Sequence, residues 1–215
     1  MSGPRNNRPS NNYNFRGDYG DADFDHRHVF TGYVLYDVQR LGRSAPKLTK
    51  GWQLNALITA DSGAPFNVGA GPDISNTLNR NDRVDLVGDP FSGVVQPPHP
   101  GGCLTDGVRW FTPAAFKLPA RGTFGNIELN RFHGPRFGAL DFSIFKNTPI
   151  TERLRTQLRI EIFNLFDRVN LGGPDGSLGS GAGMGLISGT RHSGDAPGIG
   201  FGEPRNVQIA LKFLW

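Results

Sequence analysis

The chain has little that a catalytic or disulfide-stapled protein needs. It holds one cysteine, Cys103, among 215 residues, so no internal disulfide can form. Cys103 sits beside two glycines, where a loop thiol is expected, and no metal or catalytic spacing surrounds it. No CxxC, HExxH or GxSxG is present, so neither a zinc-hydrolase nor a serine-hydrolase motif supports an enzyme, and none is expected. No run approaches the roughly 20 apolar residues of a spanning helix. Mean hydropathy is -0.37, also too low for a helical membrane protein. The 23 basic residues are scattered and the net charge is only +4, which leaves no nucleic-acid footprint. The opening MSGPRNNRPSNNYNF lacks the apolar core of an export signal. The expectation is therefore either a cytosolic protein or a fragment whose true start lies upstream.

What is abundant is turn formers and aromatics. Thirty glycines and 16 prolines argue for a turn-rich, helix-poor chain, and 16 phenylalanines fall largely in or beside candidate strands. This profile fits an all-β protein with long loops. It also fits an outer-membrane barrel, whose segments are each too polar to register as membrane spans.

The stretch 137 to 170, FGALDFSIFKNTPITERLRTQLRIEIFNLFDRVN, is the strongest signal. Leu140, Phe142 and Ile144 alternate with Asp141, Ser143 and Phe145. Leu154, Thr156, Leu158, Ile160 and Ile162 alternate with Arg155, Gln157, Arg159 and Glu161. A period of two places successive side chains on opposite faces of a strand. Pro149 cannot donate to a ladder, so the turn is expected at Asn147 to Ile150. The result is a β-hairpin with one apolar and one charged face.

Three further runs alternate. In VFTGYVLYDV (29–38), Phe30, Gly32, Val34, Tyr36 and Val38 share a face. In GWQLNALITA (51–60), Trp52, Leu54, Ala56, Ile58 and Ala60 do. In NVQIALKFLW (206–215), Val207, Ile209, Leu211, Phe213 and Trp215 do. Strands are thus expected near 29–38, 51–60, 137–147, 153–166 and 206–215. Residues 1–25 read as a polar irregular segment, and 61–136 and 171–205 as long loops. The connections alternate short, long, short, long. With the last strand ending in the periplasm, every short connection falls there and every long one outside, as outer-membrane barrels require. Ten residues at about 3.3 Å each, tilted by about 45°, span about 23 Å, close to the roughly 25 Å apolar band of such barrels.

Phrases in order along the chain carry a family resemblance. They are FDHRHVFTGYVLYDV, GWQLNALITADSGAPFNV, VDLVGDP, WFTPAAF, the run GTFGNIELNRFHGPRFGALDFSIFKNTPITERLRTQLRIEIFNLFDRVNL, and the final VQIALKFLW. Together they resemble the C-terminal barrel region of TonB-dependent receptors of the Oar-like type, from about Asp25 onward. The FNLFDRVN phrase (163–170) with the aromatic C-terminus is the most specific part. The resemblance implies a receptor with an export signal, an N-terminal plug that contacts TonB, and a barrel of about 22 strands. It implies residence in the outer membrane of a Gram-negative-type bacterium and a last strand read by the barrel-assembly machinery. About five or six meandering antiparallel strands are visible, fewer than the eight of the smallest single-chain bacterial barrels. The expected fold is an incomplete transmembrane β-barrel. Such a segment serves ligand uptake only with the missing strands and plug, and its other partner is outer-membrane lipid.

Candidate functional residues follow from the two faces. Arg155, Gln157, Arg159 and Glu161 are candidates to line a lumen and meet a plug or passing substrate. The plainer reading is a solvated face with cross-strand ion pairs of about 0.2–1 kcal/mol each, and it is favoured. Trp52, Phe213 and Trp215 are expected at the membrane interface, with the last two in the C-terminal assembly signal. Asp25, His26 and His28 lack further ligands nearby, so a polar strand entrance is expected rather than a metal site. Gly179 to Gly185 lacks the GK[ST] of a phosphate loop and is expected to be a flexible loop. No cofactor is expected. The rival architecture is a soluble or secreted β-sandwich that binds carbohydrate or another ligand, because apolar-in, polar-out alternation occurs there too.

Overall fold

The computed structural model describes residues 9–38, 46–78, 82–94, 107–192 and 204–215. Cys103, the QPPHPGG stretch and most of the Gly-rich run APGIGFGEP lie outside the described residues. So do the first eight residues and 39–45 of the first connection. The fold is all-β apart from one four-residue helix, Pro46–Thr49, and short 3-10 turns.

The chain forms two compact units. The first to describe is a five-stranded antiparallel sheet: β1 (Val29–Val38), β2 (Trp52–Asp61), β3 (Phe137–Pro149), β4 (Arg155–Phe163) and β5 (Asn206–Leu214). Each strand pairs with its sequence neighbour, in the order β1-β2-β3-β4-β5. The meander does not close, so β1 and β5 are both edges. Register keeps the alternation of all five strands in phase. Tyr36 lies opposite Leu54, Leu54 opposite Ile144, Ile144 opposite Ile160, and Ile160 opposite Ile209. One face is therefore a continuous apolar surface. A slip of one residue would send a whole strand's aliphatics to the polar side.

The largest departures from the expected boundaries lie around the hairpin. β3 continues to Pro149, because Thr148 and Pro149 still pair with Thr156 and Arg155. The hairpin turn therefore lies at 150–154, not 147–150. The Leu154 carbonyl accepts from the Ile150 and Thr151 amides, and the Thr151 hydroxyl accepts from the Arg153 and Leu154 amides. β4 stops at Phe163 rather than 166. Asn164 and Asp167 take left-handed backbone (φ 49° and 52°), which ends a ladder.

That break is the FNLFDRVN phrase at work. The Asn164 amide donates to Asp141 Oδ1 at 2.8 Å, and its side-chain amide donates to the Arg168 carbonyl at 2.8 Å. Asn164 Oδ1 accepts from the Arg168 amide at 3.1 Å. Asn170 Oδ1 accepts from the Gly138 amide at 3.0 Å, and Asn164 and Asn170 are each 1% exposed. These two asparagines satisfy backbone groups that the end of β4 leaves without ladder partners.

The second unit comprises residues up to Arg27, Ser62–Arg136 and Leu171–Gly194, with the described parts of each. The long connections are thus not featureless loops. They hold a core of their own, with Val68, Val84, Met184 and Ile187 at 0% exposure and Phe111 at 1%. Phe66 stacks on Phe111 at 5.6 Å, Phe116 meets Phe111 edge-on at 5.4 Å, and Phe132 meets Phe116 edge-on at 5.8 Å. Each such pair contributes about 0.5–1.5 kcal/mol beyond area burial. Phe66, Phe111, Phe116 and Phe132 thus serve the connections rather than the sheet. Three ladders of two residues each tie the segments: 65–66 with 132–133, 85–86 with 116–117, and 108–109 with 186–187.

Glycine supplies the close approaches. A Cβ on Gly63 would stand 1.8 Å from the Gly134 carbonyl oxygen, and one on Gly176 would stand 2.1 Å from that of Asn67. The Gly-rich stretch expected to be a flexible loop winds as a 3-10 turn, Leu178–Gly183. It delivers Met184 to the core, and Gly185, at φ 78°, lets the chain pass the Phe111 carbonyl.

The N-terminal segment is anchored to this unit. Arg83 Nη1 meets Asp18 Oδ1 at 2.6 Å, with the two side chains 6% and 13% exposed. Arg83 also donates to the Ile127 and Gly17 carbonyls at 2.9 and 2.7 Å. Asp18 accepts from the Ser10 amide and hydroxyl at 3.0 and 2.8 Å. Burial works against the charged carboxylate, but the bonds from Arg83 and Ser10 outweigh it and hold Asp18 below the ordinary carboxylate range.

Candidate functional site: two faces of an open sheet

The polar face carries all four charged-face candidates on β4. Arg155 lies opposite Pro149 and Leu214, at the end of the sheet with the short connections. Gln157, next along, donates to Asn147 Oδ1 at 2.9 Å. Arg159 and Glu161 are brought together, with Nη2 to Oε1 at 2.8 Å and both side chains 24% exposed. This ion pair runs along the strand, two residues apart, and so corrects the expectation of cross-strand pairing for these two. The residues opposite Arg159 are Phe145 and Ala210, neither of which is an anion. Arg159 instead lays its guanidinium over the Phe145 ring, 4.4 Å from the centroid.

Neighbouring strands extend the polar surface. Gln53 donates to Asp37 at 2.8 Å, and the Tyr33 hydroxyl to Asn55 Oδ1 at 3.2 Å. Among the described residues two donors there have no hydrogen-bond partner: Asn55 Nδ2, on a residue 6% exposed, and Arg159 Nε. A buried donor left without an acceptor costs about 1–3 kcal/mol.

The apolar face is mostly uncovered. Phe30, Val34 and Tyr36 on β1 and Val207, Ile209, Leu211 and Phe213 on β5 are each more than half exposed, Ile209 at 72%. Trp52, Phe213 and Trp215 all fall at the short-connection end. Trp52 shares a cross-strand row with Lys146, while Phe213 lies opposite Thr156 and is followed by the 94% exposed Trp215. The Trp52 indole donates to the Leu48 carbonyl at 2.7 Å.

Sequence reasoning missed Lys146. It stands on the apolar face, yet is only 9% exposed, with its ammonium 5.6 Å from the Trp52 ring centroid. It donates to the carbonyls of Lys50 and Asn147. Parity was the available signal, since 140, 142, 144 and 146 share one face. A lysine that turns its head back toward strand ends while its stem lies among apolar side chains is the behaviour of an interfacial cation.

The remaining motifs resolve into packing. His26 Nδ1 lies 2.9 Å from the Ser62 carbonyl, and Nε2 lies 3.3 Å from Arg191 Nη2. Among the described residues no group of three or more His, Cys, Asp or Glu side chains is placed to hold a metal ion.

An open antiparallel meander with one exposed apolar face and one polar face is what a slice of a membrane barrel must look like. The sequence comparison agrees: a model of the family described as "Outer membrane beta barrel domain" matches residues 1–208. The chain belongs to the outer membrane beta barrel domain family. It is an outer-membrane protein, and the soluble sandwich is not favoured. Neither the curated proteins nor the solved structures gave a match. Each unpaired amide or carbonyl of β1 and β5 in hydrocarbon would cost several kcal/mol.

Proposed function

We propose that this chain supplies the closing strands of a TonB-dependent receptor barrel of the Oar-like kind, and serves ligand uptake across the outer membrane only within that complete barrel. The observation that carries this reading is the asymmetry of the sheet's two ends. The 61-to-137 and 163-to-206 connections leave from one end, and the 38-to-52 and 149-to-155 connections from the other. Long connections outside and short turns in the periplasm are the rule for these barrels. The motif order from Asp25 to Trp215 supports the receptor identity, and the two open edges support a barrel much larger than five strands.

In this reading the apolar face meets lipid, with Trp52, Phe213 and Trp215 at the periplasmic interface. Arg155, Gln157, Arg159 and Glu161 face the lumen, where a plug supplies acceptors for Asn55 and Arg159. The barrel-assembly machinery reads β5 with its terminal aromatic. TonB acts through the plug, and the chain itself performs no catalysis.

The test is expression behind an export signal, alone and fused after the plug and leading strands of an Oar-like receptor. The fusion should enter the outer membrane and migrate heat-modifiably, as folded barrels do, while the chain alone should be degraded. Recovery of the chain alone as a soluble monomer with a cooperative melt would contradict the reading.

A further inference from the structure

The loop-derived unit carries a feature that barrel closure does not use. Between Tyr13 and Phe24 four aromatic rings point to solvent: Tyr13 at 100%, Phe15 at 65%, Tyr19 at 86% and Phe24 at 83% exposure. A frayed terminus would explain this at no cost, but this segment is pinned from behind. Asp18 is locked to Arg83 and Ser10, the Gly17 carbonyl accepts from Arg83, and Asn130, 2% exposed, donates to the Asp21 carbonyl and to Asp23. Asn14 caps the 3-10 turn Phe15–Asp18 that sets the rings. The backbone is fixed while the rings stay in water.

Two of the rings, Phe15 and Tyr19, line an open cavity of about 820 Å3 with Arg16, Gly20 and Glu128. Small-molecule sites span about 300–1,000 Å3. Two segments over a hundred residues apart build it, and Gly20 is the joint. A Cβ there would stand 2.0 Å from the Leu129 carbonyl oxygen, so only glycine lets the ring-bearing turn rest against the turn that brings Glu128. The charged groups are available. Glu128 meets only Arg131, at a loose 3.6 Å with both side chains half exposed or more, and no described side chain or carbonyl engages the Arg16 guanidinium.

We propose that this cavity binds the sugar rings of a neutral oligosaccharide. Three features select that chemistry. Flat aromatic faces fit the C–H faces of pyranose rings, where apolar area is buried without burying charge. One guanidinium and one carboxylate at the same rim give donors and an acceptor, which a polyhydroxylated ligand needs and a simple anion or cation does not. The site is open rather than enclosed, so a chain passes across it and is gripped one or two residues at a time. Preorganisation of the turn removes the ordering cost that a flexible aromatic loop would carry. The inference rests on this unit alone and is independent of the receptor reading.

Calorimetric titration of the full chain, refolded in vitro from inclusion bodies into detergent micelles, tests it, with near-UV dichroism monitoring the buried phenylalanine core. The probes are maltohexaose and cellohexaose, as free neutral oligosaccharides, and a neutral O-antigen fragment, as a sugar of the outer leaflet. An aromatic tetrapeptide is the rival ligand. At least one sugar should bind, and Tyr19→Ala should weaken it by about tenfold or more while Tyr19→Phe retains it. Arg16→Ala should weaken it as well. Both positions are at the surface, so neither variant should alter the dichroism. Binding of the tetrapeptide alone, absence of binding by every sugar to a protein with an intact core, or equal affinity in Tyr19→Ala would overturn the proposal. If only the O-antigen fragment binds, the source is the outer leaflet; if the free hexaoses bind, it is an imported or captured glycan.

Discussion

The sheet and the loop-derived unit use the same residues in opposite ways. In the sheet, Ile209 is 72% exposed and Phe30 59%, while the connections bury Phe111 to 1% and Met184 to nothing. Both regions come from one chain whose hydrophobic residues make up 37% of the total. The lesson is that the two regions fold for two solvents. The connections bury their apolar atoms against each other, as a protein in water does. The sheet leaves most of its exposed apolar side chains on one face, as a protein in lipid does, with Tyr33 (62%) and Leu35 (48%) on the other. Exposed apolar area on this scale marks a surface with a partner.

Substitutions should separate the two logics. The largest effect is expected from Phe111→Ala, which empties the centre of the ring cluster. It should cost about 3–5 kcal/mol and expose the connections to protease while the strands stay protected. Next is Ile209→Arg, midway along β5. A charge on a lipid face near the bilayer midplane costs about 2–4 kcal/mol, so assembly into the outer membrane should fall sharply. Gln208→Arg, one residue away on the polar face, should be nearly neutral. Equal damage from the two would erase the distinction between faces.

A smaller effect is expected from Asp18. Its folded carboxyl titrates below its unfolded value, so its contribution is complete above about pH 4 and is lost as pH falls through the lower folded value. Asp18→Asn should lower the stability of the connections by about 2 kcal/mol at neutral pH and remove that part of their acid sensitivity. Denaturant melts at pH 7 and pH 3 measure both. The smallest effect is expected from Glu161→Gln. Its partner Arg159 is a quarter exposed and also rests on Phe145, so the change should be below about 1 kcal/mol.

Much of the sheet was legible in the sequence, because alternation is a local signal. Five runs with a period of two place Leu54, Ile144, Ile160 and Ile209 on one face before any pairing is known. The same parity exposes Lys146 as the polar member of an apolar row. The end of β4 was less legible. Asn164 leaves the extended region one residue after a perfect alternation, and only its side-chain bonds explain why. The core of the connections was not legible at all. Phe66, Phe111, Phe116 and Phe132 follow no period, and the ladders that bring them together are two residues long. Proline and glycine there read as loop punctuation, whereas Gly63, Gly176 and Gly185 are packing contacts. The cavity at Phe15 and Tyr19 was hidden for the same reason, since Glu128 joins it from more than a hundred residues away.

Depth-sensitive labelling of β5 tests the central claim most directly. With Cys103 replaced by serine, a cysteine is introduced in turn at Val207, Gln208, Ile209, Ala210, Leu211 and Lys212 in the assembled barrel, carrying a fluorophore quenched by nitroxide-labelled lipid. Quenching should alternate, strong at 207, 209 and 211 and weak at 208, 210 and 212. A flat profile, or the opposite alternation, would show that the apolar face does not meet the bilayer.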